Sequence, residues 1–223
     1  MAKKTDNKPI TDVQSLFNFL YEACNILRGP VGQDGFKDYI TPLLYYKRIS
    51  DVWDEETAQA LKESDGDDEY ARLPEQHRFV IPDECHWKDL RERTENIGSA
   101  IIESMRAIER NNPNTLYGVL STFSKAQWTN KSVLSDERLR NLVEHMSKVD
   151  LGNTKYSADL MGDAYEVLHK ISGITSKNGR NDAKRLNIRV VTMSNDDKPK
   201  NRKTQRKADL RRRMVCKSLP VKE

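Results

Sequence analysis

Long apolar runs are absent from this sequence of 223 residues. No segment approaches the roughly 20 consecutive apolar residues that a membrane-spanning helix needs. The first residues, MAKKTD, also lack the apolar core of a signal peptide. We therefore expect a cytoplasmic protein that does not enter a membrane.

Cysteine is also scarce. The three cysteines, Cys24, Cys85 and Cys216, are odd in number, widely spaced and in no Cys-x-x-Cys pair. This usage excludes a disulfide framework and a zinc ribbon, and it predicts reduced thiols. His77 and His86 lie near Cys85 but lack the paired spacing of a structural zinc site, so we predict packing or polar roles for them and no bound metal.

The net charge of +4 hides a strong asymmetry along the chain. Residues 170–223 contain 17 Lys and Arg against 5 Asp and Glu, a net charge of +12. Residues 1–169 contain 21 Lys and Arg against 29 Asp and Glu, a net charge of −8. Such a division predicts an acidic folded domain that carries a basic extension.

Apolar residues recur at helical spacing in the acidic part. A first helix is predicted from residue 13 to residue 27, with Thr11 or Asp12 as its N-cap and Gly29 just beyond its end. A second is predicted over residues 35–55, with Pro42 either kinking it or marking its effective start. Further apolar faces predict helices over residues 97–108, 134–149 and 159–170.

Two segments between these helices look different. Residues 54–69 are dense in Asp and Glu, which favours a solvated loop. Residues 79–82, FVIP, are predicted to form a short β element, as a small hairpin or an extended packing segment. The fold class is therefore mainly α: a flexible N-terminus (1–10), a bundle-like helical domain (11–170) and a basic, disordered tail (171–223) that has too few apolar residues for a packed core.

Several sequence blocks occur in a defined order across the helical part. The longest, FKDYITPLLYYKRISDVW, covers residues 36–53. The others are LFNFL (16–20), LRG (27–29), FVIP (79–82), NIG (96–98), AIE (107–109), NP (112–113), GVL (118–120), DERL (136–139) and DLMGDAYE (159–166). This ordered set resembles the N-terminal helical domain of the methyltransferase (modification, M) subunits of prokaryotic type I restriction-modification systems.

The resemblance implies an enzyme family but not a catalytic residue in this chain. In the family, a catalytic domain follows the helical domain and transfers a methyl group from S-adenosylmethionine to the N6 nitrogen of adenine in DNA. That chemistry uses an Asp-Pro-x-x-Gly-x-Gly-like turn and an Asn/Asp-Pro-Pro-aromatic loop that holds the flipped base. Neither occurs here, and Asn112-Pro113 has one proline and no aromatic. We expect a truncated subunit that binds no cofactor and is inactive alone.

The resemblance also implies partners. Family members assemble with DNA, a specificity subunit, a second modification subunit and the restriction subunit, and the N-terminal domain contributes to assembly and DNA clamping. Lys37, Lys47 and Arg48, near the longest block, are candidate phosphate contacts. Charged residues on an amphipathic helix face water by default, and that is the simpler expectation for each of them.

An alternative function is a free-standing helical protein that binds nucleic acid through its basic tail. A basic stretch without apolar pattern is also what translation in a shifted reading frame produces, so binding by the tail would be incidental in that case. The tail residues that would contact phosphates are Arg202, Lys203, Arg206, Lys207, Arg211, Arg212 and Arg213.

Overall fold

The computed structural model describes residues 10, 12–121, 126–154 and 160–171. All of them belong to the first of two units, Met1–Thr192, and the second unit is Met193–Glu223. Across the described residues the structure is mainly helical and contains no β-strand. The predicted mainly α fold class is therefore confirmed.

Seven α-helices and two 3-10 turns occur in these residues. The 3-10 turns are Gln33–Gly35 and Pro74–Gln76. The α-helices are α1 (Val13–Leu27), α2 (Phe36–Glu63), α3 (Asp68–Ala71), α4 (Trp87–Glu92), α5 (Ile97–Asn111), α6 (Asp136–Met146) and α7 (Leu160–Ile171).

Helix α1 begins and ends at the predicted signals. The Asp12 carboxylate accepts a hydrogen bond from the Ser15 backbone N–H at 2.7 Å, and the Ser15 hydroxyl accepts one from the Asp12 N–H. This reciprocal capping satisfies two amides at the start of the helix. After Leu27 the chain turns at Gly29, whose φ of +105° is a conformation that favours glycine. Ile10, assigned to the flexible N-terminus by the sequence, is buried.

Helix α2 is the centre of the domain and packs against α1, α3, α4, α6 and α7. The helix is longer than predicted, and it also answers the question of Pro42 that the sequence left open. Pro42 lies inside it, and the helix continues to Glu63 instead of ending near residue 55. The predicted solvated loop is wrong for residues 54–63, because a buried stripe, Val52, Glu56 and Ala60, continues at helical spacing beneath the acidic surface. Residues 64–67 do form a turn at the surface.

The small hairpin predicted as one alternative at residues 79–82 is wrong, whereas the other alternative, a packing segment, agrees with the burial of Phe79 and Ile81. The backbone of Val80 has no neighbouring strand among the described residues and pairs instead with the side chain of Asn112. Asn112 Oδ1 accepts from the Val80 N–H at 2.8 Å, and Asn112 Nδ2 donates to the Val80 carbonyl oxygen at 2.8 Å. One buried amide thus supplies the two hydrogen bonds that a strand partner would have made.

Helices α5 and α6 pack through close contacts at their N-termini. Ser135 caps α6, as predicted, by accepting from the Arg138 N–H. Asp136 instead reaches across to α5, where its Oδ1 accepts from the Ile97 N–H at 2.9 Å. Gly98 lies so near the Trp128 backbone that a Cβ atom would stand 1.9 Å from the Trp128 carbonyl oxygen. The α5 backbone therefore packs directly on the segment before α6.

Helix α7 completes the described domain by packing on α1 and α2. Its residues Ala164, Val167 and Leu168 are buried in the common core. The predicted end of the helical domain at residue 170 stays a prediction, because residues 172–223 lie outside the described part of the chain. None of the helices in the described ranges combines the length and apolarity required to cross a membrane.

Candidate functional site

Two of the three candidate phosphate contacts on α2 are interior residues. Lys47 is 5% exposed and Arg48 is 1% exposed. The expectation that these charges face water is therefore wrong. Neighbouring helices surround this part of α2, and both cations have partners within the domain.

Lys47 forms an ion pair with Asp51, one turn further along α2. Its ammonium also lies 5.9 Å from the ring centre of Trp87. Burial raises the pKa of Asp51 to about 6, and the neighbouring Lys47 opposes that rise. Asp51 Oδ2 in addition accepts from the Leu151 N–H at 2.7 Å. A buried charge is tolerated here because it is both paired and hydrogen-bonded.

Arg48 binds the same connecting segment. Its Nη1 donates to the Leu151 carbonyl oxygen at 2.6 Å, and its Nη2 donates to Asn153 Oδ1 at 2.8 Å. Burial lowers the pKa of Arg48, but an arginine keeps its charge in a protein. The guanidinium therefore acts as a fixed set of donors for the chain between α6 and α7.

Glu55 adds the third contact from α2 to this segment. Its carboxylate accepts from the Asn153 N–H at 2.7 Å, from the Thr154 N–H at 3.2 Å and from the Thr154 hydroxyl. A Cβ atom on Gly152 would lie 2.1 Å from Glu55 Oε1. We call this arrangement the α2 clasp: the side chains of Arg48, Asp51 and Glu55 with residues 151–154.

The cluster around His77 and His86 is aromatic in character. Both histidine rings lie against Trp53. The centre of the Trp53 ring system is 4.5 Å from the ring centre of His77 and 4.4 Å from that of His86. His77 Nε2 also lies 2.9 Å from the Ala71 carbonyl oxygen. Across the described ranges, no group of three or more His, Cys, Asp and Glu could hold a metal ion. Both histidines thus pack on Trp53, and His77 makes a polar contact as well.

The described cysteines, Cys24 and Cys85, are free thiols. Burial raises the pKa of Cys24 to about 12, which suppresses the reactive thiolate. Burial also raises the pKa of Cys85. Cys216 lies outside the described residues.

Asn112, which precedes Pro113, has a structural role as well. Besides its two bonds to Val80, its Nδ2 donates to the Ile108 carbonyl oxygen at 2.7 Å. The side chain is 6% exposed, so it is committed to the end of α5. This geometry supports a packing role over any likeness to a methyltransferase base-binding loop.

Tyr117 is the surface feature that sequence patterns did not single out. Its side chain is 83% exposed, on a turn where Gly118 has a φ of +72°. Glu109 holds this turn by accepting from the Gly118 N–H at 2.8 Å and from the Ser121 N–H at 2.6 Å. Tyr117 is thus an exposed aromatic side chain on a turn that Glu109 fixes by hydrogen bonds.

The remaining sequence candidates stay predictions. Lys37 is partly exposed at the beginning of α2 and is available at the surface. The seven tail candidates, Arg202, Lys203, Arg206, Lys207, Arg211, Arg212 and Arg213, lie outside the described residues.

These contacts define a helical domain whose buried polar side chains fix its own connecting segments. The chain belongs to the HsdM N-terminal domain family, which matches residues 16–146. Membership identifies an N-terminal domain of the modification subunit of a type I restriction-modification methyltransferase. The match ends with α6, so α7 lies outside the matched residues. No curated protein matches the sequence.

Proposed function

We propose that this domain assembles a type I modification complex in the cytoplasm. It would bind the specificity subunit and the second modification subunit, present a surface to the restriction subunit, and so help the complex to close around DNA. Methyl transfer from S-adenosylmethionine to adenine is assigned to a catalytic domain, and residues 1–223 themselves bind no cofactor. The family match over residues 16–146 carries this proposal.

The charge distribution supports protein contact over direct phosphate contact by the helical body. Lys47 and Arg48 are used inside the domain, so α2 presents little positive charge there. Residues 1–169 also have a net charge of −8. Phosphate binding depends on Lys and Arg that displace counterions, and an acidic body opposes it. Lys37 remains the single α2 candidate of the three that is at the surface.

Tyr117 gives the proposal a defined contact point. Tyrosine is enriched in interface hot spots because it buries a large area with few rotatable bonds. The Glu109 hydrogen bonds hold the turn before a partner arrives, which lowers the entropy cost of association. We assign this turn to a contact with the specificity subunit.

The test is sedimentation velocity of the full chain mixed with the specificity subunit of the same type I system. We expect a complex with the wild-type chain and weaker association with Tyr117→Ala. The matched control is Tyr70→Ala, which removes the same side chain from the short helix α3. If the wild-type chain and the specificity subunit sediment independently at micromolar concentration, assembly is not the function of this domain. Calorimetry with S-adenosylmethionine on the same preparation tests the assignment of cofactor binding to another domain.

Nucleic-acid binding by the tail is the second candidate function, and the charge of +12 over residues 170–223 favours it. Such binding would be independent of sequence and would weaken steeply as salt rises. Full-length chain and a chain ending at Ile171 can be compared on unrelated duplexes at two salt concentrations. Equal binding by the two chains would assign DNA contact to the helical body and contradict this candidate.

A further inference from the structure

Polar contacts hold both the described segment before helix α7 and the last residue of α7. Before it, the α2 clasp binds residues 151–154. After its last turn, Gln33 Nε2 donates to the Ile171 carbonyl oxygen at 2.5 Å. Carbonyl groups at a helix C-terminus have no partner within the helix, so this bond supplies one from the turn between α1 and α2. Both anchors therefore belong to α2 or its entry.

The clasp is formed by side chains that bind backbone. The Leu151 N–H and carbonyl group bind Asp51 and Arg48, while the Asn153 and Thr154 N–H groups bind Glu55. These partners are about 100 residues apart in sequence. Changing one α2 side chain therefore removes several contacts to the connecting segment while leaving the backbone hydrogen bonds of α2 intact.

The rest of the domain has contacts that do not depend on α7. Helix α1 packs on α2 and α6, and α6 packs on α4 and α5. Asp136 bonds to the start of α5, and Gly98 packs on the Trp128 backbone. The hold of α7 is different: Ala164, Val167 and Leu168 are buried against α1 and α2, together with the two polar anchors. Regions with separate sets of contacts can open as separate cooperative units.

We propose that the α2 clasp is a latch and that α7 is a separable element, which leaves the domain as a unit while α1 to α6 remain folded. Opening the latch uncovers the apolar face of α1 and α2 that Ala164, Val167 and Leu168 cover. The hold on α7 is thereby controlled at Glu55, about 100 residues before the backbone that it binds.

Hydrogen exchange of the full chain, measured by mass spectrometry, tests this inference. Glu55→Gln removes the charge that three donors share, and Gly152→Ala displaces the same carboxylate from the opposite side. Both should accelerate exchange in residues 151–154 and 160–171 at least about tenfold, the effect expected from loss of charged hydrogen bonds. Exchange in α5, which serves as the internal reference, should change less than twofold. Glu92→Gln, an exposed position on α4, is the matched control.

Two results would overturn the proposal. If α5 and α7 accelerate by the same factor, the domain opens as one cooperative unit and α7 is not separable. If only residues 151–154 accelerate, the clasp organises a turn and does not hold α7. Gln33→Ala, at the other anchor, provides a variant that leaves the buried charges in place. It should accelerate exchange in residues 160–171 as well, and wild-type exchange there would also contradict the latch.

Discussion

Two glutamates of this domain perform the same task in different surroundings. Glu109 accepts from the Gly118 and Ser121 N–H groups and from the Ser121 hydroxyl. Glu55 accepts from the Asn153 and Thr154 N–H groups and from the Thr154 hydroxyl. Each carboxylate thus holds a turn with two amides and a hydroxyl. The first contact spans 9 to 12 residues, whereas the second spans 98 to 99.

The difference shows how chain separation changes what one interaction does. Glu109 lies near the end of α5 and organises the turn that follows this helix, so only a short loop must close. Glu55 ties α2 to the chain between α6 and α7 and is accompanied by the buried Asp51 and Arg48. Its contacts therefore stabilise tertiary structure, while those of Glu109 stabilise a surface turn that presents Tyr117.

The largest loss of stability is expected at Gly98, where the α5 backbone packs on the backbone of Trp128. In Gly98→Ala, the new Cβ would lie 1.9 Å from the Trp128 carbonyl oxygen, so α5 or the segment before α6 must move. We expect about 3 kcal/mol of destabilisation or more in urea unfolding. In Gly152→Ala the obstacle is the mobile end of Glu55, and we expect about 1 to 2 kcal/mol.

Gly162→Ala is the matched control for both glycine variants. Nothing lies within 4 Å of the new Cβ atom on α7, and alanine favours helix. A gain of about 0.5 to 1 kcal/mol is therefore expected. Equal losses in Gly98→Ala and Gly152→Ala would contradict the distinction between a rigid and a yielding neighbour.

The next largest difference in unfolding free energy is expected between variants of the two glutamates. Glu55→Gln is expected to lower the free energy of unfolding by about 2 kcal/mol, because charged hydrogen bonds to the partly buried Asn153 amide and the exposed Thr154 amide are weakened. Glu109→Gln should cost less than about 1 kcal/mol, because its contacts are exposed and local. Chemical denaturation of both variants measures the difference. A larger loss in Glu109→Gln would mean that the surface turn, and not the clasp, limits stability.

The buried carboxylate of the clasp predicts a pH dependence. Burial raises the pKa of Asp51 to about 6 in the folded state, above its ordinary value of about 3.9. The folded state therefore binds this proton first, so the group's contribution to stability is complete below about pH 4 and is lost as pH rises through about 6. Lys47 and Asp150 are the charged groups that act on it most directly.

The measurement compares urea unfolding of the wild-type chain and Asp51→Asn at pH 4.5 and pH 7.5. The stability of the wild type relative to the variant should fall by roughly 2 kcal/mol between these values. Glu92→Gln provides the comparison for an exposed carboxylate. If the stability difference between the wild type and Asp51→Asn is the same at both pH values, the ion pair with Lys47 outweighs the effect of burial on the pKa of Asp51.

The smallest effect on stability is expected at Tyr117. Tyr117→Ala removes a side chain that is 83% exposed, so the free energy of unfolding should change by less than about 0.5 kcal/mol. Thermal unfolding of the isolated chain checks this. A loss above about 1 kcal/mol would show that the ring packs on the domain, and the residue would then be a poor test of partner binding.

Local signals predicted much of this fold. The Asp12 cap, the Gly29 end and the apolar faces of α5, α6 and α7 are encoded within a few turns of each helix, and all of them occur in the structure. The length of α2 was not predictable in the same way. Its central position among other helices outweighs the missing hydrogen bond at Pro42, and only tertiary structure reveals that position.

The candidate site was predicted less well than the fold. Lys47 and Arg48 were predicted to contact phosphates or to face water, but they are buried among partners that include residues near position 151. No pattern in a single sequence links positions that are about 100 residues apart. The Glu109 turn was in principle accessible, because its partners lie within 12 residues, yet the sequence of that turn contains no distinctive motif.

The pairing of Asn112 with Val80 has a consequence for self-association. Extended backbone with free N–H and carbonyl groups can recruit a strand from another molecule, and FVIP is the kind of apolar, β-prone segment in which this begins. Asn112 occupies both groups of Val80, and its own amide is anchored to Ile108. A side chain thereby blocks the edge that would otherwise template aggregation. This protective role belongs to an Asn-Pro pair that lacks the second proline and the aromatic residue of a methyltransferase loop.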